Sequence, residues 1–90
     1  MQLLCRNRVV DFETWWAVFE THTEAHREAG LHLQHLWLSA DDQNEVFFLF
    51  NVDSRFRAEA FMNAREADEE AIESGVIEGE FHFIQEAVRS

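Results

Sequence analysis

The run Val46-Phe47-Phe48-Leu49-Phe50-Asn51-Val52 limits what the rest of the chain can do. β-Branched and aromatic residues dominate it, the composition of a strand. Strand side chains alternate between faces, so Val46, Phe48, Phe50 and Val52 share one side while Phe47 and Leu49 take the other. A strand that is apolar on both sides needs cover on both sides. Two other segments repeat the pattern. Across residues 31–39, alternation puts Leu31, Leu33, His35 and Trp37 on one face, and His32, Leu36 and Leu38 on the other. Near the C-terminus, Phe81 and Phe83 oppose Ile84.

The elements around these strands follow from local chemistry. Residues 2–8 read as a short strand. Asp11 is placed to cap a helix, its carboxylate accepting from the open amides of the first turn. That helix is expected to run to about Ala29 and stop at Gly30. Asp41-Asp42-Gln43-Asn44 is a turn between the second and third strands. Asp53 or Ser54 caps a second helix carrying Ala58, Ala60, Phe61 and Ala64, with Asn63 and Glu66 recapping a further turn or two before Ser74-Gly75. Residues 81–86 make the fourth strand. The order strand-helix-strand-strand-helix-strand is the split βαβ pattern, and it predicts one α+β domain of the ferredoxin-like class over residues 1–90. Its two main helices cover one face of a four-stranded antiparallel sheet. A second copy of the chain is then the simplest cover for the other face. The register, and hence which face meets the helices, is left open.

Composition supports association and narrows the partners. With 47% apolar residues, including nine Phe and three Trp, the chain carries more large apolar surface than a lone domain of its length hides readily. Eighteen acidic against seven basic side chains give a net charge of −11, which repels phosphate backbones and anionic lipid. Nucleic acid and membrane are therefore not expected partners. Cys5 is alone, so no internal disulfide or thiolate zinc cluster forms within one chain, and a reducing cytoplasm suits it. The first ten residues contain Arg6 and Arg8 and lack the apolar run of a signal peptide, and no segment has the length of a membrane span.

Across most of the chain, from about Leu3 to Gln85, the sequence resembles small dimeric α/β-barrel proteins related to the antibiotic biosynthesis monooxygenases. The resemblance is carried by Val10-Asp11-Phe12 with Trp15 and Val18-Phe19, then Ala29-Gly30-Leu31, Asp41-Asp42 and Asn44-Glu45-Val46, Ala60-Phe61, and Ser74-Gly75-Val76. It implies the dimeric barrel. For activity it implies a range that includes cofactor-independent oxygenases, cyclases, haem enzymes and proteins of no known role. Tyrosine is absent, which argues against a phenol-assisted mechanism.

Histidine is the side chain suited to proton transfer near neutral pH, and there are five. On a helical wheel, His22 and His26 fall within the apolar arc of the first helix beside Trp15 and Phe19, opposite Glu13, Glu20, Glu24, Arg27 and Glu28. Three readings stand. They are core histidines bonded to backbone; or they line a ligand pocket between helix and sheet, where the resemblance places pockets; or, four apart, they hold a metal. His22-Thr23-Glu24-Ala25-His26 lacks the zinc-protease spacing, so no metal is expected, and no cofactor is expected either. The best candidates for a catalytic base are His22 and His26, with Trp15, Phe19, His22, His26, His35 and Trp37 as the candidate substrate-binding set. Cys5 reads as a buried strand residue, and Glu66, Asp68, Glu69, Glu70 and Glu73 as a solvated helix face. Arg6, Arg8, Arg55 and Arg57 pair with the acidic surface or anchor an anionic ligand. Two functions of different class follow: a small-molecule enzyme resembling cofactor-free oxygenases or cyclases on aromatic or polyketide-like substrates, and a non-catalytic ligand-binding or structural dimer.

Overall fold

The computed structural model describes residues 1–88. Its elements are β1 (Gln2–Val9), α1 (Phe12–Thr21), α2 (Thr23–Glu28), β2 (Leu31–Leu38), β3 (Glu45–Val52), α3 (Arg55–Met62), α4 (Arg65–Ser74) and β4 (Val76–Ile84). The strands form one antiparallel sheet in the order β2-β3-β1-β4. This is the ferredoxin-like α+β arrangement. Leu3 pairs with Phe50, Cys5 with Phe48 and Leu31 with Val52, and all of them are buried under the helices with Val9 and Val46. Trp15 and Phe19 of α1 and Ala58 of α3 close the core from above. Burying each large side chain contributes about 1.5–3 kcal/mol, so this face supplies most of the fold's cohesion.

Both predicted helices are broken in two, and the breaks have local causes. His22 adopts φ −104° and ψ 12°, off the helical path. The Thr21 hydroxyl donates to the Val18 carbonyl, the Thr23 hydroxyl donates to Glu20, and the His22 ring bonds Val18 as well. Side chains competing for helix carbonyls weaken the ladder where α1 gives way to α2. In the second pair, Ser54 is the cap of α3, accepting from the Arg57 amide. Asn63 does not recap the chain: it ends α3, and Ala64 precedes α4 with no side-chain cap bond. Gly75 closes α4 in the left-handed conformation at φ 77°.

Two differences in the strands matter for function. The fourth strand begins at Val76 instead of residue 81, because Glu78-Gly79-Glu80 pairs along β1 from Arg8 to Arg6. In β2, a bulge at Gln34 shifts the register so that Leu33 opposes Phe50 while His35 opposes Leu49. Uniform alternation fails beyond that point. Leu31, Leu33, Leu36 and Leu38 share the helix side, and His32, His35 and Trp37 share the other.

That other face is divided. At one end, Leu4, Phe47 and Leu49 are half-buried, and His35 stacks on Trp37 with ring centroids 5.0 Å apart. At the other, the Arg6 guanidinium bonds Glu45, Glu78 and Glu80 at 3.2, 2.9 and 3.0 Å, while Arg8 reaches Asp42 at 3.1 Å. Arg55 pairs with Glu59 and lies 4.5 Å over the Phe83 ring, and Arg57 bonds the Glu28 carbonyl. Arg6, Arg8 and Arg55 thus pair with acidic side chains, whereas Arg57 bonds a backbone carbonyl.

Candidate functional site

On the helix side, α1, α2, α3 and α4 do not fill the space above the sheet completely. A cavity of about 400 Å³ remains, bounded by Trp15, Phe19, Phe48, Phe50 and Phe61, with Leu3 and Cys5 as its floor. One hydrogen-bonded pair spans its edge. His26 is 6% exposed, and its Nε2 lies 3.1 and 3.2 Å from the two oxygens of Glu70. Its ring is held by Phe19, Phe50 and Phe61, with centroids at 4.7, 5.7 and 5.6 Å. Three aromatic contacts fix the plane of the imidazole, and the carboxylate fixes its rotation. The pair therefore joins α2 to α4 across the mouth of an apolar space.

Glu70 is not on a solvated face as its neighbours suggest. Ala67, Ala71 and Ser74 recur at helical spacing on the inner side of α4, all lining the cavity, and Glu70 lies on the same stripe. The surrounding acidic run hid it, and that small-residue stripe was the signal that could have found it. Asn7 was missed too. It follows Leu3 and Cys5 on the buried side of β1 and places one carboxamide in the cavity wall. Gly79 is its cross-strand partner, and a Cβ there would lie 2.7 Å from the Asn7 Oδ1. A polar residue in an otherwise apolar alternation was the legible clue.

The six residues singled out from the sequence do not all meet. Trp15, Phe19 and His26 line the cavity together. His22 stands beside it, its ring centroid 6.4 Å from that of His26, and its Nδ1–H donates to the Val18 carbonyl at 2.9 Å. That carbonyl raises the pKa of His22 above its ordinary value, with the charges of Glu70, Glu73 and Glu66 adding to the effect. His35 and Trp37 lie on the opposite face of the sheet, because the Gln34 bulge turns them away, so they cannot line this cavity. Cys5 is buried, and burial pushes its thiol up to about 12, which makes it a poor nucleophile. Among the described residues, no group of three or more His, Cys, Asp or Glu side chains is arranged to hold a metal ion.

No protein-family model matches the chain, and no curated protein does. Solved structures share its fold at low identity. A candidate antibiotic biosynthesis monooxygenase from Bordetella bronchiseptica superposes with a TM-score of 0.76 at 14% identity, covering 97% of this chain and 96% of that one. A NIPSNAP domain protein from Burkholderia xenovorans gives 0.65 at 13%, covering 97% and 95%. A dimeric ferredoxin-like protein from an uncultured marine organism gives 0.56 at 12%, covering 99% and 91%. The chain is similar in fold to antibiotic biosynthesis monooxygenase-like proteins of the ferredoxin-like class, as its sequence resemblance implies.

Proposed function

We propose that the 90 residues act as one domain in a small-molecule-binding homodimer, and that its cavity takes a planar aromatic or polyketide-like ligand from which the His26–Glu70 pair removes a proton. That step is shared by cofactor-independent oxygenases and cyclases. The observation that carries the reading is the buried His26–Glu70 pair at the edge of an aromatic cavity of about 400 Å³. Such a volume falls in the range of small-ligand sites, about 300–1,000 Å³. Trp15, Phe19 and Phe48 supply flat walls for a ring system. Glu70 supplies a carboxylate acceptor, and His26, whose Nε2–H donates to its oxygens, holds it in place. Asn7, on the other side of the cavity floor, supplies an amide donor for negative charge that develops on a ligand oxygen. A flat ligand lying against the ring walls would displace water from this space, which strengthens each of these interactions.

The homodimer is supported by the apolar end of the far sheet face. Trp37 is 46% exposed and Ile84 37% exposed there, beside half-buried Leu4, Phe47 and Leu49. No helix among the described residues is long and apolar enough to cross a membrane. Lone, buried Cys5 suits the reducing cytoplasm, where we place the protein.

The test is a titration of hydroxynaphthoquinones and related planar phenols against the intrinsic fluorescence of Trp15 and its neighbours, with proton release followed by an indicator dye. Wild type is expected to bind and to change the ligand's protonation or turn it over. Glu70→Gln is expected to bind the same ligand with proton transfer lost. Binding without proton transfer in wild type would favour the non-catalytic dimer, a reading that the tight ring packing of His26 also suits. No binding across the panel would overturn the pocket itself.

A further inference from the structure

The aromatic cavity carries fixed charge of one sign only. Asp68 and Glu70 of α4 both line it. Glu80 borders it as well, but its carboxylate is taken by Arg6 at 3.0 Å. No fixed cation answers them. The chain contains no lysine, and among the described residues no arginine lines the cavity. Arg27, Arg55 and Arg65 pair with Glu24, Glu59 and Glu69 along their own helices, and Arg57 bonds the Glu28 carbonyl. Arg6 and Arg8 reach their carboxylates on the far face of the sheet. His26 is the one lining side chain able to become positive, and a charged His26 would only balance Glu70. Asp68 would remain in excess, exposed and outside every one of these pairings.

A space walled in this way repels an anion and draws a cation. The rings act in the same direction, because an aromatic face carries the negative part of the quadrupole. One strand already shows the contact. In β4 the Arg55 guanidinium lies 4.5 Å over the Phe83 ring. Phe81, two residues earlier on the same face of β4, is exposed and lines the cavity. Among the described residues no cation of the protein lies over the Phe81 ring. An exposed carboxylate, Asp68, and an exposed ring, Phe81, therefore stand on the rim of one apolar cavity. Together they offer a positive ligand group two kinds of partner that an anion cannot use.

We propose that the ligand of this cavity is an organic cation, a planar ring system bearing a protonated amine. The ring body packs against Trp15, Phe19 and Phe48, and the ammonium is held by Asp68 at the rim. Asp68 is thereby a specificity-determining residue that selects ligands by charge. The proposal rests on the reading of the cavity as a ligand site, and adds to it the charge that the ligand carries.

The probes are three naphthalenes of nearly equal size: naphthylmethylamine, cationic at neutral pH, naphthylmethanol, neutral, and naphthoate, anionic. Their affinities for the full chain are measured by isothermal titration calorimetry. The net charge of −11 attracts any cation, so a control is needed. Asp68→Asn removes one charge from the cavity rim, and Glu13→Gln removes one from an exposed residue outside the lining. The amine is expected to bind about tenfold more tightly than the alcohol, with naphthoate weakest. Asp68→Asn, shown to be folded by its circular dichroism melt, is expected to lose most of that preference while its affinity for the alcohol holds. Glu13→Gln is expected to keep the preference. Equal binding of alcohol and amine by wild type would leave the cavity standing and refute the cation, whether or not the Asp68 variant folds. An equal loss of preference in the two variants would refute Asp68 as its source. No binding of any of the three would overturn the ligand cavity itself, and this inference with it.

Discussion

The two faces of the sheet are built from the same strands yet obey different rules. On the helix side, every second residue of β3 is buried, from Val46 at 0% exposed to Val52 at 9%, and the polar exceptions, Asn7 among the strands and His26 and Glu70 above them, converge on one cavity. On the far side, Phe47 and Leu49 are only half covered, and the charges are gathered at one end around Arg6. A polar group buried without a partner costs free energy, so those kept inside a core are paired, as His26 and Glu70 are. Polar groups on the open face cost little, and there the informative feature is the exposed apolar surface. The helix side carries the proposed binding site, and the far side the surface proposed for a second copy.

The largest effect expected from this contrast comes from charging each face in turn. Phe48→Asp should unfold the chain outright, because the carboxylate has no partner under Trp15 and Phe19. Phe47→Asp should leave the secondary structure in place and shift the mass measured by light scattering from dimer to monomer. If both variants unfold equally, the two faces are not distinct in the way described. Breaking the buried pair comes next. Glu70→Ala leaves the His26 N–H without its partner and is expected to cost about 1–3 kcal/mol in chemical denaturation, whereas Glu70→Gln, which keeps a hydrogen-bonding oxygen, should cost clearly less.

Gly79→Ala gives a smaller loss, since its Cβ would press on Asn7, whose carboxamide must turn. Melting temperature should fall modestly and ligand affinity more, if Asn7 contacts the ligand. The smallest effect is the pH dependence contributed by His22. Its pKa is higher in the folded protein than the ordinary 6.5, so the ring holds its proton more tightly when folded. That stabilisation is complete below the unfolded value and fades as pH rises through the folded one. His22→Gln should therefore flatten the stability profile as pH rises above the ordinary 6.5, and an unchanged profile would remove the Val18 contact as its cause. Asp11 and Glu78 act in the opposite sense: both carboxyls are lowered, by the Thr14 backbone amide and by Arg6, so their contribution is lost as pH falls through the acidic range.

The architecture was legible because the strongest signals were local: the Val46–Val52 run, Asp11 and Ser54 at helix starts, and glycine after α2 and α4. The bulge at Gln34 was not, since nothing in Leu33-Gln34-His35 marks it, and it decides which way His35 and Trp37 face. The helix breaks were partly legible in the Thr-His-Thr sequence at residues 21–23, where side chains compete for carbonyls. His26 was found from its place on an apolar arc. Glu70 was overlooked because one inward carboxylate among five acidic residues has no compositional signature. Its partner lies 44 residues away, and only the tertiary fold brings the two to 3.1 Å.

The most direct test of the contrast between the faces is a chemical-shift map of the isotopically labelled protein titrated with a hydroxynaphthoquinone. Perturbations are expected at Asn7, Trp15, His26, Phe48 and Glu70, with Phe47, Leu49 and Trp37 unmoved. Perturbations centred on Phe47, Leu49 and Trp37, with His26 and Glu70 silent, would contradict it.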